Sequence, residues 1–339
     1  MYTTKEEAIN GVLAGKEFKN GEFDLFRNDF EVSFEAVKKN YDALEYVSNE
    51  LRGNKEIVLI AVKEYGRSLK FASDDLKSNE EVVLEAINTH GSALEFASMS
   101  FRANKNFVLK SVRKQGWALA EMLEEFKSDK EVVLEAVKNN GLALEYASDK
   151  LRNDKEVVIE AVKQNGNYLR FASDTMKDDW DVVLSSIRFG DSGFQYASER
   201  LRKSKEFVME AAKYRWTFSL LLTAELRDDA EVMHVLIKNY GGAYKEASKR
   251  LRADKELFLL AVSTYGRALY GAPENFKSDM HMVLEAVKND ACAIQWASPE
   301  IQELCKDQDP IKALESAIAH ERLQSLLSNK PSTKRTRLF

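Results

Sequence analysis

The sequence has few of the residues that form disulfides, bind metals or carry acid–base catalysis. Among its 339 residues, two are cysteine, four are histidine and four are proline. Two cysteines, Cys292 and Cys305, cannot build the dense disulfide framework of a small secreted fold. A reducing compartment is therefore the simpler interpretation.

Long apolar runs and an excess of positive charge are also missing. The N-terminal segment MYTTKEEAINGVLAGKEF lacks the apolar core of a signal peptide, and no stretch approaches the ~20 apolar residues of a membrane span. Fifty basic residues against 55 acidic ones give a net charge of -5, so no general attraction to nucleic acid or anionic membranes is expected. We expect a cytoplasmic protein, while delivery into another cell by an unconventional route stays open.

What the sequence has in abundance is repetition. From Asp29 to Glu303 it can be written as eleven rows of 25 residues without an insertion or deletion, and we number these rows repeats 1 to 11. They begin at residues 29, 54, 79, 104, 129, 154, 179, 204, 229, 254 and 279. A period this short is typical of solenoids, in which each repeat buries its apolar face against its neighbours.

The first residue of each repeat is of a type that caps helices. Asp, Asn and Ser side chains accept hydrogen bonds from the free N–H groups at a helix start. Every repeat has one of these three residues at that position: Asp29, Asn54, Asn79, Asn104, Asp129, Asp154, Asp179, Ser204, Asp229, Asp254 and Asp279. We therefore expect a helix to begin there in each repeat.

The interior of each repeat predicts two helices and a turn. In repeat 5 an apolar stripe at 132–137 is typical of a helix facing a core, and Ala143, Leu144 and Tyr146 indicate a second, shorter helix. Glycine at the thirteenth position of seven repeats predicts a left-handed turn between them. These glycines are Gly66, Gly91, Gly116, Gly141, Gly166, Gly241 and Gly266. The pattern predicts an all-α chain, an α-solenoid of about eleven stacked helix-turn-helix hairpins with helical caps.

The repeat pattern also predicts the chain's organisation. Residues 1–28 keep a faint echo of the repeat and indicate a degenerate N-terminal capping repeat, followed by the eleven tandem repeats over 29–303. Residues 304–328 predict a C-terminal capping helix that starts near Asp309 and Pro310. Residues 329–339 are polar and basic, and predict a flexible tail.

Two further columns suggest ligands, but a structural role explains each of them better. The eighteenth position is aromatic in seven repeats, as in Tyr46 and Tyr146, and we expect packing between layers rather than a ladder for stacking bases. The twenty-fourth position is basic in ten repeats. An acidic residue usually follows four positions later, as Glu81 follows Lys77 and Glu156 follows Arg152, so we expect ion pairs along one edge.

Outward positions of the second helix vary from repeat to repeat. Two of them, the fourteenth and the seventeenth, lie three apart and should share one helix face. A variable face on a repeated scaffold is how solenoids present a binding surface, although drift on a solvated face explains the variation equally well. Repeat 8, with RWTFSLLLTAEL, is the most irregular, and repeat 7 beside it is irregular as well; over 179–228 the stack either bends or repacks locally, or it exposes an apolar patch for a partner. The candidate protein-binding residues are Arg67, Lys70, Trp117, Leu142, Tyr168, Arg170, Trp216, Leu220, Arg267 and Tyr270.

The repeat resembles a known family. The row EVVLEAVKNNGLALEYASDKL at 131–151 is similar to the tandem helical repeats catalogued as domain of unknown function 4116, and nearly the whole chain shares it. The resemblance implies a helical repeat fold and brings no catalytic residue, cofactor or defined ligand. Such arrays are similar in use to interaction solenoids of bacterial and protist proteins.

The residues themselves do not point to catalysis. The four histidines lie at different repeat positions, and no phosphate-binding glycine loop, zinc-protease motif or nucleophile elbow is present, so we expect no catalytic residue, cofactor or metal. The interpretation we favour is a non-catalytic scaffold that binds a protein. Two alternatives are a regulatory or targeting module of an enzymatic system and an RNA-binding solenoid that reads one base per repeat. Asp42, Glu45, Glu95 and Glu145 interrupt any basic track, so nucleic acid is disfavoured.

Overall fold

The computed structural model describes residues 1–215 and 217–328, and these residues form α-helices and 3₁₀ helices with no β-strand among them. Trp216 and the predicted tail, 329–339, lie outside the described residues. Contacts divide the chain into two compact units, Met1–Tyr196 and Ala197–Phe339. Within each unit consecutive repeats pack against each other, which confirms the all-α repeat solenoid. None of the described helices is both long and apolar enough to cross a bilayer.

Each repeat begins with its longest α-helix, and the predicted cap residue precedes it. In every repeat the cap side chain accepts a backbone hydrogen bond from the first turn; Asp129, for example, accepts from the N–H groups of Glu131 and Val132. The cap column is therefore confirmed. These first helices are Phe30–Lys39, Lys55–Glu64, Glu80–Thr89, Lys105–Lys114, Lys130–Asn139, Lys155–Gln164, Trp180–Arg188, Lys205–Ala211, Ala230–Asn239, Lys255–Thr264 and Met280–Asn289.

The core follows from four positions of the first helix. The fourth, fifth, eighth and ninth residues of every repeat are buried; in repeat 5 these are Val132, Val133, Ala136 and Val137, all fully buried. Within each unit these helices pack against the first helices of the neighbouring repeats. Burying one side chain of valine size stabilises a fold by about 1.5–3 kcal/mol, so these four positions supply a large part of the apolar driving force.

The second half of each repeat differs from the predicted hairpin. The second segment is a 3₁₀ helix in ten repeats and a short α-helix, Gly193–Tyr196, in repeat 7. The 3₁₀ helices are Tyr41–Glu45, Gly66–Phe71, Gly91–Phe96, Gly116–Glu121, Gly141–Tyr146, Gly166–Phe171, Thr217–Leu221, Gly241–Glu246, Gly266–Gly271 and Ala291–Trp296. The tighter 3₁₀ turn is common in pieces of this length.

A third helix, which the sequence pattern does not predict, closes each repeat. Serine at the twentieth position caps it in several copies; the Ser48 and Ser73 hydroxyl oxygens accept hydrogen bonds from the N–H groups of Leu51 and Leu76. These helices are Asn49–Arg52, Asp74–Lys77, Met99–Arg102, Glu124–Lys127, Asp149–Arg152, Asp174–Lys177, Glu199–Lys203, Ala224–Arg227, Lys249–Arg252, Glu274–Lys277 and Pro299–Leu304. One repeat is thus three short helical segments.

The glycines at the thirteenth position serve close packing rather than a left-handed turn. Among the described glycines only Gly15 has a positive φ. A Cβ atom at Gly66 would lie 2.1 Å from the Ala86 carbonyl oxygen, and one at Gly166 would lie 2.0 Å from the Ser186 carbonyl oxygen. Because backbone from the next repeat occupies the place of a side chain, these positions accept only glycine without a shift. The predicted left-handed conformation is therefore wrong.

Helices also occur in both segments that flank the repeats. Thr4 caps the helix Lys5–Leu13, which packs on Phe30–Lys39, and a 3₁₀ helix follows at Gly21–Phe26. At the other end the helix Pro310–Ser328 packs on the first helix of repeat 11. Both flanking helices lie against a repeat inside their own unit.

Candidate functional site

A backbone hydrogen bond joins neighbouring repeats at the same place in most copies. The N–H of the serine at the twentieth position donates to the carbonyl of the twenty-fourth residue of the preceding repeat. The pairs include Ser48 to Arg27 at 2.8 Å, Ser73 to Arg52 at 3.0 Å, Ser148 to Lys127 at 2.9 Å and Ser248 to Arg227 at 2.9 Å. Since Arg27 belongs to the predicted capping segment, that segment continues the same hydrogen-bond pattern.

In several repeats a side chain of the next repeat clamps the end of the first helix. The Asn139 amide accepts from the Gly116 N–H at 2.7 Å and donates to the Arg113 carbonyl at 2.9 Å. Asn289 makes the equivalent pair with Gly266 and Ser263. The clamp satisfies backbone groups that a helix end leaves unpaired. The polar side chains at this edge therefore hold the scaffold together.

His90 has a structural role of the same kind. Its Nδ1 atom accepts a hydrogen bond from the Gly66 N–H at 3.2 Å, and its ring lies edge-on to Tyr65 with centroids 4.5 Å apart. Among the described residues, no group of three or more His, Cys, Asp or Glu side chains is arranged to hold a metal ion.

A lysine at the second position of a repeat bridges to two carboxylates of the next. Lys130 Nζ lies 2.8 Å from both Asp154 and Glu156. The lysines that bridge two carboxylates of the following repeat are Lys5, Lys105, Lys130, Lys155 and Lys205. Lys55 pairs with Glu81 alone, since the cap residue of the next repeat is Asn79. These pairs replace the predicted ones: Glu81 is bound by Lys55 rather than Lys77, and Glu156 by Lys130 rather than Arg152. The predicted pairs joined residues close together along the chain, whereas the observed ion pairs join residues of neighbouring repeats.

The bridges shift the pKa values of both partners. Burial of the Asp154 carboxylate, which alone raises its pKa, is outweighed by hydrogen bonds from Lys130 and the Val157 N–H, so the pKa of Asp154 lies below its ordinary value. The hydrogen bonds to Asp154 and Glu156 raise the pKa of the Lys130 amine. Both groups therefore stay charged across the neutral range.

The 3₁₀ helices present the predicted variable positions together. With three residues per turn, the fourteenth and seventeenth residues of a repeat lie one above the other in the ten repeats that have a 3₁₀ helix. In repeat 7 the seventeenth residue lies on the short α-helix and the fourteenth precedes it. We call these residues the variable face. They are Asp42 and Glu45, Arg67 and Lys70, Ser92 and Glu95, Trp117 and Ala120, Leu142 and Glu145, Asn167 and Arg170, and Ser192 and Gln195 in the first unit. In the second unit they are Thr217 and Leu220, Gly242 and Lys245, Arg267 and Tyr270, and Cys292 and Gln295.

Three aromatic side chains of the eighteenth position lie beside the variable face of the preceding repeat: Phe96, Tyr146 and Trp296. The Tyr146 ring packs on Trp117 with centroids 5.4 Å apart, and the Arg67 guanidinium lies 5.2 Å from the centroid of the Phe96 ring. Arg67 also reaches Glu95 of the next repeat at 3.4 Å. These rings therefore pack between neighbouring repeats, as expected from the sequence.

The remaining candidates of the first unit differ in position. Lys70 and Arg170 are exposed and lie over the rings of their neighbours Phe71 and Phe171, at 4.3 and 4.4 Å from the centroids. Leu142 is half-buried on the variable face. Tyr168 occupies the fifteenth position instead, and its ring packs against Gly141 of the preceding repeat. Tyr168 therefore follows a variable-face residue in the sequence but is not itself part of the variable face.

Repeat 8 both repacks and exposes apolar groups. Phe218 and Leu222 are buried, whereas Leu220 is 55% exposed and its neighbour Leu221 is 46% exposed. Trp216, predicted as part of this patch, lies outside the described residues. Repeat 8 therefore buries some of its apolar groups and exposes others.

Arg267 and Tyr270 lie on a groove in the second unit. Tyr270 is 69% exposed and its ring meets Trp296 edge-on at 6.1 Å, while Arg267 binds Asp290 at 2.7 Å. The hydrogen bond from Arg267 holds the pKa of Asp290 below its ordinary value. The groove has a volume of about 610 Å³ and is open to solvent.

The sequence reasoning missed the lysine bridges and the groove. A charge correlation over one repeat length would have found the bridges, because lysine at one position is followed 24 and 26 residues later by carboxylates. The groove has a weaker signal in the sequence: Gly271 occupies the eighteenth position of its repeat, where seven repeats have an aromatic residue.

Comparison with known proteins gives a family and no individual relative. No curated protein and no solved structure matched the chain. The profile of one family, described as Domain of unknown function (DUF4116), matches residues 29–77, 54–102, 79–127, 104–152, 129–177, 179–227, 229–270 and 254–302. Every matched window begins at the first residue of a repeat. Because the windows together cover most of the sequence, this chain belongs to the DUF4116 family and consists of tandem copies of its repeat.

Proposed function

We propose that the chain is a non-catalytic scaffold that binds another protein through its variable face. The observation that carries this proposal is a contrast between columns. The core and cap positions hold the same residue types from repeat to repeat, whereas the fourteenth and seventeenth positions change among charged, polar, apolar and aromatic residues. A rigid support with a changing exposed face suits recognition of one extended partner.

Some exposed residues of the variable face are of the types that contribute most to protein interfaces. Trp117, 38% exposed, and Leu220 and Tyr270 present apolar and aromatic groups to water. Tryptophan, tyrosine and arginine dominate interface hot spots, and covering exposed apolar groups favours association. Support for a role without catalysis comes from the clamps, in which polar groups such as His90 and Asn139 are engaged by backbone.

Charge on the variable face favours a protein over RNA. Arg67 and Arg267 each lie within ion-pair distance of a carboxylate of the next repeat, Glu95 and Asp290. Such pairing leaves less positive potential for a phosphate backbone. Affinity for RNA that falls steeply with salt would favour the RNA-binding alternative instead.

The test compares two tryptophans with nearly equal exposure. Trp117 lies on the variable face, and Trp180, 37% exposed, lies on the first helix of repeat 7. Proteins captured by the immobilised full chain are identified by mass spectrometry, and the affinity of each is measured for Trp117→Ala and Trp180→Ala. We expect Trp117→Ala to weaken binding at least about tenfold and Trp180→Ala to leave it unchanged.

Melting curves of both variants show whether the fold is intact. Loss of the Trp117–Tyr146 ring contact should cost only about 0.5–1.5 kcal/mol. Equal binding by both variants, or no reproducible partner for the wild-type chain, would contradict the proposal.

A further inference from the structure

Repeat 10 lacks the aromatic ring that most repeats have at the eighteenth position. Seven repeats have Phe, Tyr or Trp at the eighteenth position, and repeat 10 has Gly271 there. In repeats 5 and 11 the ring at this position packs on an aromatic residue of the preceding repeat, as Tyr146 does on Trp117. The equivalent ring of repeat 10 would lie beside Gly242 and Lys245. Gly271 leaves that place open.

The backbone does not require glycine at either position. Neither Gly242 nor Gly271 has a positive φ. A Cβ atom at Gly242 would lie 3.6 Å from the Tyr265 ring, and one at Gly271 would lie 3.5 Å from the Lys245 Cβ, both ordinary contact distances. Gly241, in contrast, would place a Cβ atom 2.6 Å from the Ala261 carbonyl oxygen. Glycine is unfavourable inside a helical segment, so these two positions forgo stability and leave space.

The space is the groove of about 610 Å³. Tyr265, Tyr270 and Trp296 form its apolar wall, and Tyr265 and Tyr270 are 44% and 69% exposed. Lys245 and Arg267 are the charged residues of the lining, which includes no carboxylate among the described residues. The nearest carboxylates lie outside it: Glu246, 3.9 Å from Lys245 Nζ, and Asp290, paired with Arg267.

We propose that this groove binds an aromatic side chain of a partner protein, flanked in the partner by acidic residues. This inference rests on the proposed protein-binding function and names the chemistry of one contact. The partner's ring takes the place that the chain's own ring fills in other repeats, between Gly242 and Lys245 and against Tyr270. Aromatic rings favour tilted and edge-on neighbours of this kind. The Lys245 ammonium, 58% exposed, receives a flanking carboxylate.

The experiment fills the groove with larger side chains that are introduced into the chain itself. Gly271→Phe restores the residue type of the other repeats, and Gly242→Leu places in repeat 9 the residue that Leu142 provides in repeat 5. The control, Glu121→Phe, introduces the same residue in the same column of repeat 4, outside the groove. The full chain and each variant are probed with a peptide array. Its peptides carry Trp, Tyr, Phe or Ala at the centre, with flanks of Asp and Glu, of Asn and Gln, or of Lys and Arg; proline-rich peptides are included.

We expect the wild-type chain and Glu121→Phe to bind peptides with an aromatic centre and acidic flanks. Gly271→Phe and Gly242→Leu should bind these peptides at least about tenfold more weakly while melting at or above the wild-type temperature. Equal binding by the filled variants, binding that ignores the central aromatic, or a preference for basic or proline-rich peptides would each overturn the proposal. If Trp117→Ala loses a protein partner that Gly271→Phe retains, the protein-binding function stands while the groove has no part in it.

Discussion

Glycine has two distinct roles in this chain, and the surroundings of each residue separate them. At Gly66 the backbone of repeat 3 approaches so closely that a Cβ atom would lie 2.1 Å from a carbonyl oxygen. At Gly242 a Cβ atom would meet only the Tyr265 ring, at 3.6 Å. The first glycine is required by packing between repeats. The second leaves space that a side chain could fill.

The two roles predict opposite effects of the same substitution. Gly66→Ala forces a backbone shift and should destabilise the chain by about 1–3 kcal/mol. Gly242→Ala should be neutral or stabilise by up to about 1 kcal/mol, because alanine reduces the conformational freedom of the unfolded chain. Thermal melting followed by circular dichroism measures both. A Gly66→Ala protein as stable as Gly242→Ala would show that the repeats pack less closely than described.

At the level of the element, the cap residue of a first helix has two structural roles. The Asp154 carboxylate accepts hydrogen bonds from the Glu156 and Val157 N–H groups and also binds Lys130 of the preceding repeat. One side chain thus fixes where the helix begins and attaches it to its neighbour. Repeats 2, 3 and 4 have asparagine at this position, which keeps the cap without the negative charge.

Two substitutions at Asp154 distinguish its role as a helix cap from its role as an ion-pair partner. Asp154→Asn keeps an acceptor for the cap and loses the charge pair with Lys130, so it should cost at most about 1 kcal/mol, as expected for a partly exposed ion pair. Asp154→Ala loses the cap as well and should cost about 0.5–2 kcal/mol more. Chemical denaturation of the two variants beside the wild type measures the difference. Equal stability of Asn and Ala variants would contradict the cap.

The pKa shifts give these pairs a defined pH dependence. The pKa of Asp154 is lowered on folding, so its contribution is complete above the unfolded value of about 3.9 and is lost as the pH falls through the folded value. The pKa of Lys130 is raised, so its contribution is complete below about 10.4 and is lost as the pH rises through the folded value. The melting difference between wild type and Asp154→Asn should therefore be largest between about pH 5 and 10 and vanish near pH 2. A constant difference over this range would exclude the charge pair.

At the scale of the whole molecule, stability comes from contacts between neighbouring repeats. Inside each unit the first helices, the 3₁₀ helices and the lysine bridges all join one repeat to the next. Because equivalent positions hold equivalent residues, one repeat can replace another as a neighbour. If residues 129–153 were removed, Asp154 would follow Ser128 and take the place of Asp129 opposite Lys105.

Deletion of one whole repeat should therefore leave a folded chain. Removal of residues 129–153 should keep the helix content per residue close to that of the wild type, with a lower melting temperature because one interface is lost. Removal of residues 129–140, about half a repeat, places caps opposite core positions and should reduce helix content sharply. Circular dichroism at 222 nm compares the two deletions, and similar helix content in both would rule out repeat-by-repeat packing.

Local patterns were sufficient to predict much of this fold. The caps at Asp129 and its equivalents and the buried column of Val132, Val133, Ala136 and Val137 involve residues within one helix, so periodicity along the chain identifies them. The variable face could likewise be predicted, since it depends on two positions three residues apart. The 25-residue period was the strongest evidence for the fold, because all eleven repeats keep it without an insertion or deletion.

Other features depend on residues in different repeats, and only the folded chain brings those together. Gly66 is required by a carbonyl twenty residues later, and Glu156 pairs with Lys130 of the repeat before it rather than with Arg152 nearby. Gly271 is visible in the sequence as a break in the aromatic column, yet a break can be filled by neighbouring side chains or left open. In the folded chain Tyr265, Tyr270 and Trp296 line this place without filling it, and a groove of about 610 Å³ remains.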